Sequence, residues 1–393
     1  MDAEIFVSTI LTVAILGGIV VAANVADKRG DPRLRLWVTG VLLVMNVMLV
    51  GWYGLLPLAT EADDGETSRL LGSFALATVL GVVATAALSE RVRENLTRVF
   101  PARQVPQRDE YLAEVERPAE DSSSGEPLFP QMLGYYTTAT RANAPQMLEP
   151  DEPSSARGFN PRSAVHTVAL VFCVYLLGTQ FLTFLLGGGL EGVAEGFSDG
   201  LTTWVLVLNG QPLLVIPVLG VGWGVRRDLR QVMDRLGLGP LTIQGVGVAL
   251  GMTVALLILV SVVGSTWQLL TPPETFEEQT QASEALADSV TTIWLALVLA
   301  ASAAISEEIA FRGALQPVFG FWATALIFAL THMQYALTPA TLIILGVALA
   351  FGWIRMRYNT TVAIVTHFFY NFIPLALNVA IDSEALQWLG LIV

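Results

Sequence analysis

Charged residues and cysteines are both scarce in this 393-residue chain. Only 14% of the residues are charged and 53% are hydrophobic, whereas a soluble domain carries about 25% charged residues. One water-soluble core cannot bury this much apolar surface, so lipid must be the main solvent. The single cysteine, Cys173, excludes an internal disulfide and a cysteine-based metal cage. We interpret it as a small buried apolar side chain rather than a nucleophile.

Basic residues are also in deficit, and several catalytic motifs are missing. The chain has 21 basic and 34 acidic residues, a net charge of −13, which argues against nucleic acid as a partner because phosphates attract basic surfaces. There is no His-Glu-x-x-His helix, no Gly-x-Ser-x-Gly elbow and no glycine-rich phosphate loop. These absences disfavour zincin-type proteases, serine hydrolases and nucleotide-binding enzymes.

Apolar runs long enough to cross a bilayer, about 20 residues each, recur along the chain. The first run lacks a basic start and a second follows closely, so we interpret it as a span and not as a cleaved signal peptide. The pattern predicts an all-α, polytopic transmembrane helical bundle with about ten spans, of which the seventh and eighth are short with polar ends. The predicted spans are 5–26, 35–59, 68–89, 163–188, 201–225, 241–270, 289–306, 320–335, 339–356 and 360–381.

Basic and acidic loops alternate between these spans, as expected for a multi-pass protein of the cell membrane. With ten spans the two sets fall on opposite sides, and the positive-inside rule then places both termini outside the cytoplasm. The basic set contains Lys28, Arg29, Arg33, Arg35, Arg91, Arg93, Arg98, Arg226, Arg227, Arg230, Arg235, Arg355 and Arg357. The acidic set contains Asp63, Asp64, Glu66, Glu191, Glu195, Asp199, Glu274, Glu277, Glu278, Glu284 and Asp288.

A proline-rich stretch divides the chain. Nine of the 19 prolines lie in residues 101–162, together with many charges, which predicts a partly disordered cytoplasmic linker. We therefore expect a three-span unit over 1–100 and a seven-span membrane domain over 163–393. Residues 226–238 are predicted to form an amphipathic helix on the cytoplasmic surface, which anchors the topology.

Two adjacent carboxylates, Glu307 and Glu308, follow the apolar run 289–306. Charged groups at membrane depth are costly, so they are candidates for function. Glu308 and Arg312 are four residues apart and can pair along a helix face, while Glu307 points about 100° away. Taken alone, the pattern fits an ion pair at the cytoplasmic end of a span equally well.

Two of the three histidines lie in the spans that follow. His332 lies in an apolar segment, where a packing role would be the ordinary interpretation. His367 and Asn371 are four residues apart and share a helix face, and an imidazole beside a carboxamide inside a membrane is hard to explain by packing. His166, near the start of the fourth span, has no charged partner at helical spacing, so we interpret it as structural.

These groups suit hydrolysis of a peptide bond. A carboxylate and an imidazole around one water form a general base, and hydrogen-bond donors can stabilise an oxyanion. Glu307, His332 and His367 could instead bind Zn²⁺, which accepts such ligands. We favour a metal-free site because Asn371 is a poor zinc ligand and a good oxyanion donor.

At these residues the chain resembles the CPBP intramembrane proteases, which include the type II CAAX prenyl endopeptidases and bacteriocin-processing or immunity proteins. The family pattern is Glu-Glu-x-x-x-Arg, Phe-x-x-x-His and His-x-x-x-Asn. It is matched in order by Glu307, Glu308 and Arg312, by Phe328 and His332, and by His367 and Asn371. The resemblance covers roughly residues 200–381, about half of the chain.

The resemblance implies a helical core with a conical cavity open toward the cytoplasm. It implies that Glu307 and His332 activate water, that His367 and Asn371 form the oxyanion site, and that Glu308 and Arg312 support them. The expected substrate is a membrane-anchored peptide, CAAX-like or other, cut near the cytoplasmic face. Two alternatives stay open: a non-enzymatic immunity or scaffold protein of the same family, and a transporter with Glu307 and His332 as a proton relay.

Overall fold

The computed structural model describes residues 2–59, 64–100, 158–197, 200–336 and 338–382. Within these ranges every regular secondary-structure element is a helix and no β-strand is present, which confirms the predicted all-α class. Fifteen α-helices, one π-helix and one short 3₁₀ helix follow one another. The α-helices are α1 Asp2–Arg29, α2 Pro32–Ala59, α3 Asp64–Ala87, α4 Glu90–Leu96, α5 Ala164–Gly187, α6 Leu190–Glu195, α7 Thr203–Gly220, α8 Leu229–Leu236, α9 Ile243–Leu270, α10 Pro273–Asp288, α11 Ile293–Glu307, α12 Gln316–Phe319, α13 Phe321–Leu330, α14 Ala340–Arg357 and α15 Thr360–Asp382.

Nine of the predicted spans are present as helices long and apolar enough to cross a membrane. The chain is therefore a multi-pass membrane protein. The predicted eighth span, 320–335, was wrong in its extent. Its helix α13 has ten residues, about 15 Å at 1.5 Å per residue, which is half of a hydrocarbon core of about 30 Å.

The seventh predicted span is longer than its apolar run suggested. Helix α11 ends at Glu307, but the chain continues as a π-helix over Glu308–Leu315 and then as α12. Together they form one apolar span over Ile293–Phe319, 27 residues long. The sequence-based placement of the two carboxylates at the end of a span was therefore wrong, because the span continues for twelve residues beyond Glu307.

The N-terminal helices pack directly against the rest of the bundle. Helix α1 contacts α7 and α5, and α3 contacts α5, so the two predicted units share one hydrophobic cluster. Asn24 on α1 donates to the carbonyl oxygens of Leu219 and Gly220 at the end of α7. The N-terminal helices therefore help to hold two spans of the other unit.

The predicted linker, 101–162, lies mostly outside the described residues. Its last residues do belong to the bundle, because the Gly158 N–H donates to the Pro317 carbonyl, 3.1 Å away. The Phe159 side chain packs there against Cys173 and Phe319. Cys173 is buried in this cluster, as predicted. The neighbouring His166 accepts from the Asn160 N–H at 2.9 Å, so its role in the structure is to fix the start of α5.

The predicted amphipathic helix is present as α8. Asp228 and Gln231 form a reciprocal capping box at its start, and Gly237 ends it with a φ of +70°, a conformation that favours glycine. Leu236 packs closely on Gly313, where a Cβ would lie 3.0 Å from the leucine side chain. Helix α8 therefore lies beside the π-helix, within about 8 Å along the axis from Glu308.

Candidate active site

The two carboxylates lie at the junction between α11 and the π-helix. π-Helical segments are rare and frequently occur at functional sites. The side chains diverge as predicted: that of Glu307 is 20% exposed and lines a cavity, whereas that of Glu308 is completely buried. Adjacent residues of the same type therefore occupy different environments, and each pairs with a different histidine.

His332 lies beyond the end of α13 rather than inside a helix, which corrects the sequence-based placement. Its backbone φ and ψ are −93° and +73°, and a short 3₁₀ helix, Met333–Tyr335, follows it. Burial raises the pKa of the nearby Tyr335 phenol. The end of a broken span thus brings His332 to Glu307.

Glu307 and His332 face a cavity of about 200 Å³. The Nδ1 atom of His332 lies 2.8 Å from the Phe328 carbonyl oxygen. Because a carbonyl oxygen can only accept, this contact assigns the ring proton to Nδ1 and leaves Nε2 as an acceptor. The cavity is lined by Leu176, Gln180, Leu213, Glu307, Phe311, Thr331, His332 and Gln334.

Nε2 of His332 and the Glu307 carboxylate face one another as two acceptors, so they form no direct hydrogen bond. Nε2 of His332 and Oε2 of Glu307 are 3.9 Å apart, beyond the usual limit of about 3.2 Å. Oε2 of Glu307 is buried and has no hydrogen-bond partner in the described part of the chain. Such a separation between polar atoms suits a bridging water, whose two protons could go one to each acceptor.

Glu308 is the centre of a second, closed cluster. Its Oε1 atom lies 3.2 Å from Arg312 Nη1 and 3.0 Å from His367 Nδ1, so the predicted pairing with Arg312 is present. Arg312 also donates to the Ala348 carbonyl at 3.1 Å. Its guanidinium lies 4.2 Å from the centre of the Phe328 ring, a cation–π contact. The cluster therefore ties the π-helix to α13, α14 and α15.

Phe328 connects the two clusters. Its carbonyl oxygen orients His332, while its ring lies against Arg312 and 6.1 Å from the His367 ring. His367 and Asn371 share one face of α15, as predicted, but neither lines the Glu307 cavity. Asn371 is partly buried. The structure therefore brings Glu307 to His332 and Glu308 to His367, with Phe328 between the pairs.

The three candidate zinc ligands are not gathered around one point. Glu307 and His332 lie together, but the Nδ1 atom of His367 is directed to Glu308. Within the described ranges no three His, Cys, Asp or Glu side chains form a group that could hold a metal ion. The donor set does not fit the tetrahedral arrangement that zinc requires, so we derive no step through a metal.

Several cavity residues were not predicted. Leu176 and Gln180 come from α5, and Leu213 comes from α7. Gln180 carried a signal, because a carboxamide within an apolar span is a candidate for function. The two leucines carried none, since leucine is ordinary in a membrane span.

Residues 289–373 match the family model described as type II CAAX prenyl endopeptidase Rce1-like. This segment of the chain is similar to a CAAX-protease domain. This match confirms the family resemblance, and the matched segment contains Glu307, His332, His367 and Asn371. Helices α1 to α10 lie outside it, so α5 and α7 contribute to the cavity of this domain from elsewhere in the chain. No curated protein and no solved structure matches the chain.

Proposed function

We propose that this protein is an intramembrane endopeptidase that hydrolyses a peptide bond in a membrane-anchored substrate. The observation that carries the proposal is the Glu307–His332 pair. An unpartnered carboxylate oxygen faces an imidazole nitrogen at 3.9 Å across a cavity, within a CAAX-protease-like domain.

In this proposal Glu307 and His332 activate one water molecule. The water donates one proton toward the Glu307 carboxylate and the other toward His332 Nε2 while its oxygen attacks the carbonyl carbon of the substrate. One proton passes to the pair as the new C–O bond forms. The pair then gives that proton to the amine leaving group as the C–N bond breaks, so no co-reactant besides water is needed.

His367 and Asn371 are proposed to stabilise the oxyanion of the tetrahedral intermediate. The Nδ1–H of His367 donates to the Glu308 carboxylate, so only Nε2 remains to meet the oxyanion. Nε2 is a donor only in the imidazolium form. Glu308 holds the Nδ1 side of the ring at 3.0 Å and would so orient Nε2 toward the oxyanion, which gives Glu308 a supporting role in catalysis as well as in packing. Asn371 would supply a second donor through its side-chain amide.

We propose that this chemistry proceeds without a metal. Glu307 and His332 already supply a base, and His367, the third ligand that a zinc site would need, does not line their cavity. Cleavage is therefore expected to survive prolonged dialysis of the protein against a strong chelator. A loss of activity that Zn²⁺ alone restores would contradict this part of the proposal.

The proposed substrate is a peptide held in the membrane by a lipid or an apolar segment, with a CAAX-type prenylated end as the first candidate. Cleavage would occur toward the cytoplasmic side, with the N-terminus on the opposite side. The basic loops support this orientation, as does the packing of amphipathic helix α8 beside Gly313.

The test is cleavage by purified protein in liposomes. The probe is a quenched-fluorescent peptide that ends in a farnesylated CAAX box. We expect the wild-type protein to cleave it and Glu307→Ala to lose about 10²- to 10⁴-fold of the rate, the usual contribution of a general base. Glu284→Ala, which removes an exposed carboxylate on α10, is the matched control and should keep full activity.

The alternatives give different results. Equal cleavage by wild type and Glu307→Ala would contradict the proposal, as would rescue of a deletion phenotype by Glu307→Ala in cells, which fits a scaffold. A transporter would show pH-dependent flux in the same liposomes. If the farnesylated probe is not cleaved, mapping of membrane-protein C-termini in cells with wild-type or Glu307→Ala protein tests other membrane-anchored substrates, and identical maps would count against a protease.

A further inference from the structure

Part of the wall of the cavity that Glu307 lines comes from helices outside the matched domain. Leu176 and Gln180 lie on α5, and Leu213 lies on α7, whereas the family match begins at residue 289. Among these three side chains only Gln180 carries hydrogen-bonding groups. Among the residues that the structure describes, it is therefore the one side chain from outside the matched domain that can make a directional contact in this cavity.

Gln180 makes such a contact with the segment that carries His332. Its Nε2 atom donates to the Thr331 carbonyl oxygen at 2.9 Å. Thr331 is the first residue after α13 and immediately precedes His332. Because the chain leaves the helix at this point, the Thr331 carbonyl has lost the helical partner that it would have inside a longer helix. Gln180 supplies that partner from another span.

This hydrogen bond lies directly before the residue whose orientation the site needs. His332 depends on two constraints, the contact of Nδ1 with the Phe328 carbonyl and the course of the backbone through Thr331. The Phe328 carbonyl is already crowded, since the Thr331 hydroxyl also donates to it at 2.7 Å. The bond from Gln180 holds the backbone from the other side, so that the ring can satisfy the first constraint while Nε2 faces Glu307.

We propose that Gln180 is a positioning residue for His332, supplied by a helix outside the matched protease domain. This inference rests on the proposed function. The hydrogen bond from Gln180 fixes the position of the segment after α13, so that His332 stays close enough to Glu307 for both to bind one water. A misplacement of about 1 Å in a reacting group can lower a rate about 100-fold, so a contact that acts only through position has a measurable effect.

The experiment measures kcat and KM of the full-length protein in liposomes with the farnesylated CAAX probe. Gln180→Leu removes the donor. Gln180→Glu keeps the length and shape of the side chain, but its carboxylate cannot donate to a carbonyl. For both variants we expect kcat to fall about 10- to 100-fold while KM stays within about twofold. The Gln180→Glu variant decides the question if Gln180→Leu does not fold.

The matched control is Gln211→Leu. Gln211 is also a glutamine in an apolar span, but its Nε2 atom donates to Val207 of its own helix and it does not line the cavity. We expect kcat of this variant to equal that of the wild type. The control therefore separates the loss of a carboxamide in a span from the loss of the contact with Thr331.

Two outcomes would overturn the inference. Wild-type kcat in a folded Gln180→Glu variant would mean that the contact does not position His332. A rise in KM with unchanged kcat would mean that Gln180 contacts the substrate instead. Both differ from failure of the proposed function, which would appear as equal cleavage by wild type and Glu307→Ala in the same assay.

Discussion

Glu307 and Glu308 are neighbours in the sequence but belong to two regions with opposite properties. Glu307 is partly exposed to a cavity, and Nε2 of His332, which also faces that cavity, lies 3.9 Å from its Oε2 atom, beyond hydrogen-bond distance. Glu308 is completely buried and contacts both Arg312 and His367. The first region has atoms left to interact with a substrate and water. In the second, one carboxylate oxygen has two partners, and rings pack around the guanidinium.

The difference shows how one motif can supply both chemistry and support. A carboxylate that is to act as a base must keep a lone pair free and reach water. A carboxylate that fixes the geometry of other groups must be paired, because an isolated buried charge is costly. The junction between α-helix and π-helix places one residue of each kind side by side. We therefore expect substitutions at the two positions to affect different measurements.

The largest expected difference between Glu307 and Glu308 is in how much each contributes to the unfolding free energy. Glu308→Gln leaves Arg312 buried at 1% exposure without its counter-ion, and such losses typically cost about 3–5 kcal/mol. Glu307→Gln removes a partly exposed group without a hydrogen bond on Oε2 and should change the unfolding free energy by less than about 0.5 kcal/mol. Denaturant or thermal unfolding in detergent micelles measures both.

A double substitution tests whether the cost comes from the unpaired charge. Glu308→Leu combined with Arg312→Leu removes both charges, and replacement of a buried ion pair by apolar residues is often neutral for stability. We expect the double variant to be more stable than Glu308→Gln. If Glu307→Gln destabilises the protein as much as Glu308→Gln does, the proposed division between the two carboxylates is wrong.

Much of the fold could be predicted from the sequence, because long apolar runs have few alternatives in a lipid environment. Nine of the predicted spans correspond to helices, and all but the seventh lie at nearly the predicted positions. The Glu308–Arg312 pair was predictable because its spacing is local. So was the divergence of Glu307 from Glu308, which follows from helical geometry and holds although the helix changes type at that point.

What could not be predicted depends on contacts between distant residues. The apolar run after Gly320 looks like a span, but its helix ends at Leu330. There the side chain of Gln180 donates a hydrogen bond to the Thr331 carbonyl oxygen. The span through Glu307 continues because Gln316 donates to the Gly352 carbonyl at 3.0 Å and Arg312 donates to Ala348. The span contains polar side chains whose hydrogen-bond partners lie on another helix. Hydropathy alone therefore placed the end of this span too early.

A smaller effect extends the comparison to the N-terminal helices, which resemble the supporting region. Asp27 on α1 accepts from the Ser163 hydroxyl at 2.6 Å and from the Ala164 N–H at 2.8 Å, so it caps the start of α5. Asp27→Ala should lower the unfolding free energy by about 1–2 kcal/mol, as loss of a helix cap does. Asp31→Ala is the matched control, because Asp31 lies just before α2 and caps that helix by accepting from the Arg33 and Leu34 N–H groups, so it should cost a similar unfolding free energy without affecting α5.

The two variants, Asp27→Ala and Asp31→Ala, are compared by how much each lowers kcat relative to how much it lowers the unfolding free energy. Asp27→Ala should also lower kcat slightly, because α5 carries Gln180, whereas Asp31→Ala should leave kcat unchanged. Unfolding curves and cleavage of the farnesylated probe give the two values. An unchanged unfolding free energy in Asp27→Ala would show that the contact between α1 and α5 contributes little.

The smallest expected effect concerns a polar contact among α2, α3 and α5. Asn46 is buried, donates to the Thr85 hydroxyl at 3.1 Å and accepts from the Tyr175 hydroxyl. Hydrogen bonds between membrane helices contribute about 0.6 kcal/mol on average, so Asn46→Leu should cost about 0.6–2 kcal/mol. Thr78→Val, which removes a hydroxyl bonded only within α3, should be neutral. Because Tyr175 adjoins the cavity residue Leu176, a fall in kcat for Asn46→Leu larger than that for Asp27→Ala would mean that the N-terminal helices belong to the catalytic region and not to its support.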